Sequence, residues 1–244
     1  MSHSGLRLRR PPYLSGKGGL PVTGMLGVPV LALVMNPVQA AGLLLPIFVV
    51  SDAFGLWAYR RAFDARNLMI LIPASFLGIA LGFALARVVP EAAVTLLVGV
   101  IGVAFCLERW LRRRAELQRR ADIGRGIFWG MLTGFTSFVS HSGAPPYQIY
   151  VLPQGLRKMV YAGTTTILFA AVNAAKLIPY YALGQLSPGN LKIAALLSPI
   201  AIGATLAGVR LTRVIPERPF FVAVQIALFA VSLKLCGDGL SGLF

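Results

Sequence analysis

Residues 127–152 read IFWGMLTGFTSFVSHSGAPPYQIYVL. These 26 residues contain no Asp, Glu, Lys or Arg, and about 20 such residues cross the roughly 30 Å of hydrocarbon in a bilayer. Within 134–146, two prolines, Pro145 and Pro146, and two glycines, Gly134 and Gly143, nevertheless interrupt the run and should break a helix there. A break frees backbone N–H and C=O groups that hydrocarbon cannot satisfy. It persists only where it is buried in protein or lines a cavity. The stretch therefore predicts an all-α, polytopic membrane protein with broken or re-entrant helices.

The flanking sequence fits that class. Of 244 residues 57% are hydrophobic and 13% charged, against about 45–50% and about 25% in a soluble domain. The mean hydropathy is +0.75. Further apolar runs cover 37–57, 68–89, 92–111, 159–183, 191–209 and 220–236. A shorter run at 22–35 is expected to be a broken or re-entrant first element, which gives about eight hydrophobic segments. Arg7 to Arg10, an apolar stretch and Ala40-Ala41 imitate a cleavable signal peptide, but Gly24, Gly27 and Pro29 interrupt the stretch and another apolar run follows at once. Retention is the expectation. Cys106 and Cys236 lie in apolar runs, where a thiol behaves as a small hydrophobe.

The net charge of +15 raises nucleic acid as a partner. The Lys and Arg residues sit between the apolar runs, however, without the aromatic interleaving of a nucleic-acid surface, so no nucleic-acid partner is expected. Their densest cluster, from Arg109 to Arg125, reads as a cytoplasmic loop touching anionic headgroups. With that loop and the N-terminus inside and every run crossing once, 16 of the 23 basic residues fall inside, six fall outside and both termini lie inside. The Arg210 to Arg218 loop then lies outside, against the rule.

The two halves resemble one another. Arg87-Val88-Val89-Pro90-Glu91 answers Arg213-Val214-Ile215-Pro216-Glu217, with Gly82 and Gly208 preceding them by the same distance. This predicts a first membrane repeat over 1–107 with a short N-terminal tail, a basic loop over 108–125 and a second repeat over 126–244. Whether the repeats are parallel or inverted depends on whether their short segments cross fully. Duplicated halves around a pseudo-two-fold axis, with the substrate near the midplane where helices are interrupted, are a common transporter plan.

Candidate binding residues follow from the break. Amide N–H groups at the start of the half-helix after Gly143, with the hydroxyls of Ser137, Ser140 and Ser142, form a cradle for an anion; the plainer reading is a proline kink packed against neighbouring helices. In the first half Lys17, Gly18 and Gly19 precede the short run, and this Gly-Lys pair lacks the spaced glycine and following Ser or Thr of a P-loop. Ionisable residues inside apolar runs are functional candidates, and here they are Asp52, His141 and Lys176. His141 can change charge near neutral pH and couple transport to a proton, or serve as a hydrogen-bonded structural residue. Lys176, close to Asn173, can supply positive charge to an anion, or snorkel to the interface. Asp52 is expected to pair with a neighbouring Arg, and Thr164, Thr165, Thr166 and Asn173 either to bond helices together or to bind substrate, with Asn173 kept among the candidate binding residues. No metal-binding cluster or cofactor motif is present in the sequence.

At these residues the chain resembles the sulfite exporter TauE/SafE family of membrane permeases. The resemblance rests on Gly16-Lys17-Gly18-Gly19 with Gly27-Val28-Pro29, Asn36-Pro37-Val38-Gln39-Ala40, and Leu45-Pro46 leading to Asp52 and Trp57. In the second half it rests on Gly134-Phe135-Thr136-Ser137, His141-Ser142-Gly143-Ala144-Pro145-Pro146, Tyr150-Val151-Leu152-Pro153, Gly163-Thr164-Thr165 and Asn173-Ala174-Ala175-Lys176. It implies a multi-pass permease of the bacterial inner membrane, in two homologous halves, for sulfite, sulfoacetate or related anions. An apolar segment is usual ahead of the Gly-Lys-Gly-Gly region in that family, whereas Met1 to Tyr13 are polar and basic; Gly18-Gly19-Leu20-Pro21 also departs from the family's glycine-rich turn.

The reading is a permease of a small oxyanion working by alternating access, with the lipid bilayer as its other partner and its oligomeric state open. A non-transporting scaffold is the alternative. An intramembrane enzyme, suggested by His141 beside Ser142-Gly143, is weaker because a nucleophile and its base must meet in space with the base itself oriented.

Overall fold

The computed structural model describes residues 37–85, 88, 90–111 and 119–243. The expected first element at 22–35 and the candidates Lys17, Gly18 and Gly19 lie outside the described residues. Among the described residues there are eight α-helices, in order α1 (Pro37–Tyr59), α2 (Ala65–Leu85), α3 (Glu91–Leu111), α4 (Ile123–Ser140), α5 (Ala144–Val151), α6 (Lys158–Ala182), α7 (Pro188–Val214) and α8 (Glu217–Ser241). A 3-10 turn, Leu152–Gln154, extends α5, and there is no strand among the described residues. Helices α1, α2, α7 and α8 are long and apolar enough to cross a membrane, and α3 carries a shorter apolar stretch, Ala92–Glu108. The protein is an all-α polytopic membrane protein.

Local chemistry sets the helix starts. Asp64 Oδ1 accepts the Asn67 amide at 2.8 Å, Asp122 Oδ1 accepts that of Arg125 at 2.8 Å, and Ser187 Oγ accepts that of Asn190 at 3.2 Å ahead of Pro188. Each side chain satisfies an amide that the first helical turn leaves unpaired.

The path of the chain departs from one crossing per apolar run. Gly126, Gly130 and Gly134 of α4 press on Ile70, Ala74 and Ser75 of α2 in ascending order, so the two helices run parallel from a common end. The chain then turns back. The Tyr150 hydroxyl donates to the Asp122 carbonyl at 3.0 Å, the Arg119 amide to the Pro153 carbonyl at 3.1 Å, and Asn67 Nδ2 to Gln154 Oε1 at 2.8 Å. Residues 127–152 therefore form a helical hairpin that enters and leaves at one end of the bundle. Hydropathy cannot separate this from a span, because two short apolar limbs sum to the same apolar length.

Everything downstream is reversed by that hairpin. Helix α6 starts at the hairpin's own end, where the Asp64 amide donates to Thr164 Oγ1 at 2.9 Å and the Lys158 amide to Glu217 Oε1 at 2.9 Å. At the opposite end Gly42 abuts the Gln185 carbonyl and Gly242 abuts Ala92. The C-terminus thus lies opposite the 119–122 connection, which corrects the expectation that the basic loop and both termini share a side. Arg157, Lys158, Arg210, Arg213 and Arg218 join Arg119 and Arg120 at one end, while Lys192 and Lys234 lie toward the other.

Packing places the hairpin inside the bundle. Helix α4 lies on α2, α5 touches α3 and α4, α6 packs against α1 and α2, α7 against α1, and α3 against α8. All eight residues of α5 are buried, as a broken helix at membrane depth requires. On α7, by contrast, Leu196 and Ile200 stand 77% and 71% exposed, an apolar surface suited to lipid.

Candidate functional site

The hairpin tip is built around Thr136. Its carbonyl accepts the amides of both His141 and Ser142 and the Ser140 hydroxyl at 3.3 Å, while its own hydroxyl donates to the Leu132 carbonyl at 2.7 Å and lies 3.2 Å from the Ser142 carbonyl. His141 closes α4 in the left-handed region at φ 53°. Gly143 follows in a space without room for a side chain, since a Cβ there would sit 2.7 Å from Ser137 Cβ and 2.8 Å from the Thr133 carbonyl. Pro145 and Pro146 have no amide hydrogen. Among the described residues at the break, the amides of Gly143 and Ala144 are those left without a carbonyl, a smaller backbone cradle than the sequence suggests.

Lys176 of α6 points at this tip and is 1% exposed; it is buried in the protein rather than snorkelling. Its Nζ donates to the Ser137 carbonyl and the Ser137 hydroxyl, both at 3.1 Å, and lies 3.5 Å from His141 Nδ1. An ammonium only donates, so Nδ1 accepts, and the neutral ring carries its proton on Nε2. Nε2 is 2.7 Å from the Tyr180 hydroxyl, which donates to the Phe138 carbonyl at 3.2 Å. Donors therefore point one way from Lys176 through His141 and Tyr180 to Phe138.

No carboxylate reaches ion-pair distance of Lys176 among the described residues. Asp52 of α1 instead accepts from Asn173 Nδ2 at 2.9 Å; the expected pairing of Asp52 with an Arg gives way to this α1–α6 bond. When charged, a buried Lys176 held by one carbonyl, one hydroxyl and one imidazole has no carboxylate in contact to compensate it, and an anion would complete the set.

Of the residues singled out from sequence, the structure brings Ser137, His141, Gly143 and Lys176 together, with Asn173 one turn away on α6. Ser140 and Ser142 lie at the same tip, but their hydroxyl protons go to the Thr136 carbonyl and, at 3.0 Å, to the Ser140 carbonyl. Neither serine pairs with His141, whose ring nitrogens face Lys176 and Tyr180. Thr164, Thr165 and Thr166 each donate to the carbonyl four residues back, and the first two also bond to neighbouring elements. Sequence reasoning passed over Tyr180 and Thr136. The former sits four residues after Lys176 on the same helical face, which was the available signal.

The family model described as Sulfite exporter TauE/SafE matches residues 18–235. Neither a curated protein nor a solved structure matches the chain.

Proposed function

From the premise that this chain belongs to the sulfite exporter TauE/SafE family, and is thus a multi-pass membrane transporter of the sulfur-anion class, we propose that it moves sulfite or a related oxyanion past the hairpin tip by alternating access. The observation that carries this reading is Lys176, a fully buried ammonium with no carboxylate beside it, facing the one helix break in the described bundle. The anion displaces the longest of the three Lys176 contacts, that to His141 at 3.5 Å, and takes further donors from the Gly143 and Ala144 amides.

The same geometry supports a reading with proton coupling. A protonated His141 would turn an Nδ1–H toward the Lys176 ammonium, placing two donors and two like charges together. His141 therefore accepts a proton once an anion has neutralised Lys176, and the two cross as a pair. Tyr180, on the far side of the ring, passes or holds that proton.

The bundle supports alternating access through its symmetry. The connection from α2 to α3 lies at the end opposite the one from α7 to α8, though both carry the Arg-x-x-Pro-Glu echo. The α1–α7 contact is answered by α2–α6, with α3 against α8. We read 1–107 and 126–244 as inverted repeats, the arrangement in which one half rocks against the other around a fixed site. With the end bearing Arg119, Arg120, Arg157, Lys158, Arg213 and Arg218 in the cytoplasm, the Arg210 to Arg218 loop obeys the positive-inside rule. The reading for a bacterium is the inner membrane, where helical bundles of this kind reside.

Reconstituted into proteoliposomes, the protein should show saturable sulfite flux, and Lys176→Ala should lower it at least about tenfold, since one charge-assisted contact is worth about 1.5–3 kcal/mol. Wild-type flux from folded Lys176→Ala would remove Lys176 from the mechanism. No saturable flux of sulfite, sulfate, thiosulfate, sulfoacetate or taurine would favour the scaffold reading instead.

A further inference from the structure

One face of α6 carries Tyr161, Thr165, Phe169, Val172, Lys176 and Tyr180 at steps of three or four residues, which keeps them in line along the helix. The stripe meets the hairpin twice. Lys176 and Tyr180 meet its tip, and Tyr161 and Thr165 meet Tyr147 on its returning limb. Phe169 lies between, against Gly143 and with its ring 5.7 Å from that of Tyr147.

The second meeting point has a polar group to spare. Thr165 donates to the Tyr161 carbonyl at 2.7 Å, so its oxygen accepts the Tyr147 hydroxyl at 2.8 Å. The Tyr161 hydroxyl, on a residue 1% exposed, faces Thr165 but makes no hydrogen bond of good geometry. Its ring is fixed 6.1 Å from Tyr147 and 5.8 and 5.5 Å from Phe220 and Phe221. A buried unpaired hydroxyl costs free energy that a guest oxygen would return.

We propose that Tyr161, Tyr147 and Thr165 form a second docking point for the transported oxyanion, made of hydroxyls and separated from Lys176 by the Phe169 ring; Lys158, one turn before Tyr161, gives its Nζ to the Thr212 and Ile215 carbonyls at 3.2 and 3.4 Å. This rests on the permease reading above and adds a substrate preference to it. The point lies 11 to 15 residues along α6 from Lys176, roughly 16–22 Å at 1.5 Å per residue, too far for the ammonium to share. Hydroxyl dipoles alone offset one charge far better than two in a low-dielectric interior. The occupant is therefore a monoanion bearing sulfur–oxygen acceptors, of the hydrogensulfite kind, and a fully deprotonated dianion such as sulfate is rejected.

The test compares initial flux against concentration for hydrogensulfite and sulfate in proteoliposomes of wild type, Tyr161→Phe and Tyr147→Phe, with thermal unfolding of each. Both substitutions keep the ring. Tyr161→Phe removes an unpaired group, so its Tm should be unchanged or higher while its KM for hydrogensulfite rises about tenfold, the factor carried by one hydrogen bond to a charged group. Tyr147→Phe should raise KM in the same direction, and wild type should move hydrogensulfite at least tenfold better than sulfate. Wild-type KM in both variants, with wild-type flux intact, overturns the second docking point and leaves the permease standing. A wild-type protein that moves neither anion overturns both.

Discussion

His141 combines two demands that few residues meet. It ends α4 at φ 53°, a conformation that β-branched residues pay for with about 1–2 kcal/mol and that Asn tolerates. It also spans from Lys176 to Tyr180 with its two ring nitrogens. His141→Asn should therefore keep the turn and the fold, with a Tm close to wild type, while flux loses its dependence on a pH gradient. His141→Val should unfold more readily by about 1–2 kcal/mol beyond the loss of its hydrogen bonds. Gradient-dependent flux in His141→Asn would remove the imidazole from coupling. The sequence made His141 and Lys176 visible as ionisable groups in apolar runs. It did not show that they touch, because 35 residues separate them and their meeting depends on where the hairpin turns.

Helix α4 reaches its position because small residues let it approach α2 closely. A Cβ on Gly134 would lie 1.9 Å from the Ser75 carbonyl, and one on Gly78 would lie 2.0 Å from that of Met131. Ser75 locks the crossing by donating to the Gly130 carbonyl at 3.0 Å. Gly134→Ala should destabilise the protein by about 1–3 kcal/mol, the usual cost of overpacking, and should depress flux by shifting the tip away from Lys176. Thermal unfolding in detergent with parallel flux measurements checks this, and a wild-type Tm would show that the two helices part freely. Gly134 and Gly143 were legible as helix interrupters. Gly134 proves instead to be a packing residue inside a continuous helix, and the break falls at His141 and Gly143, because a single glycine weakens a helix without ending it.

At the scale of the molecule, the hairpin decides which residues share a side. Single cysteines at Arg120, Arg157 and Arg218, in a background lacking Cys106 and Cys236, should react with an impermeant thiol reagent from one side. Cysteines at Gly189 and Gly242 should react from the other. Opposite labelling of the Arg120 and Arg157 positions would return residues 127–152 to a full crossing and remove the inverted repeat. The sequence by itself determined the solvent, the helical class, the repeated Arg-x-x-Pro-Glu connection and the interrupted run, since composition and apolar length act locally and leave their mark on consecutive residues. Only the tertiary structure decided that the run folds back, that its tip meets Lys176 and that Tyr180 and Asp52 take the partners they do. Those outcomes depend on which helix faces pack together, and equally apolar faces give no signal in the sequence to tell one pairing from another.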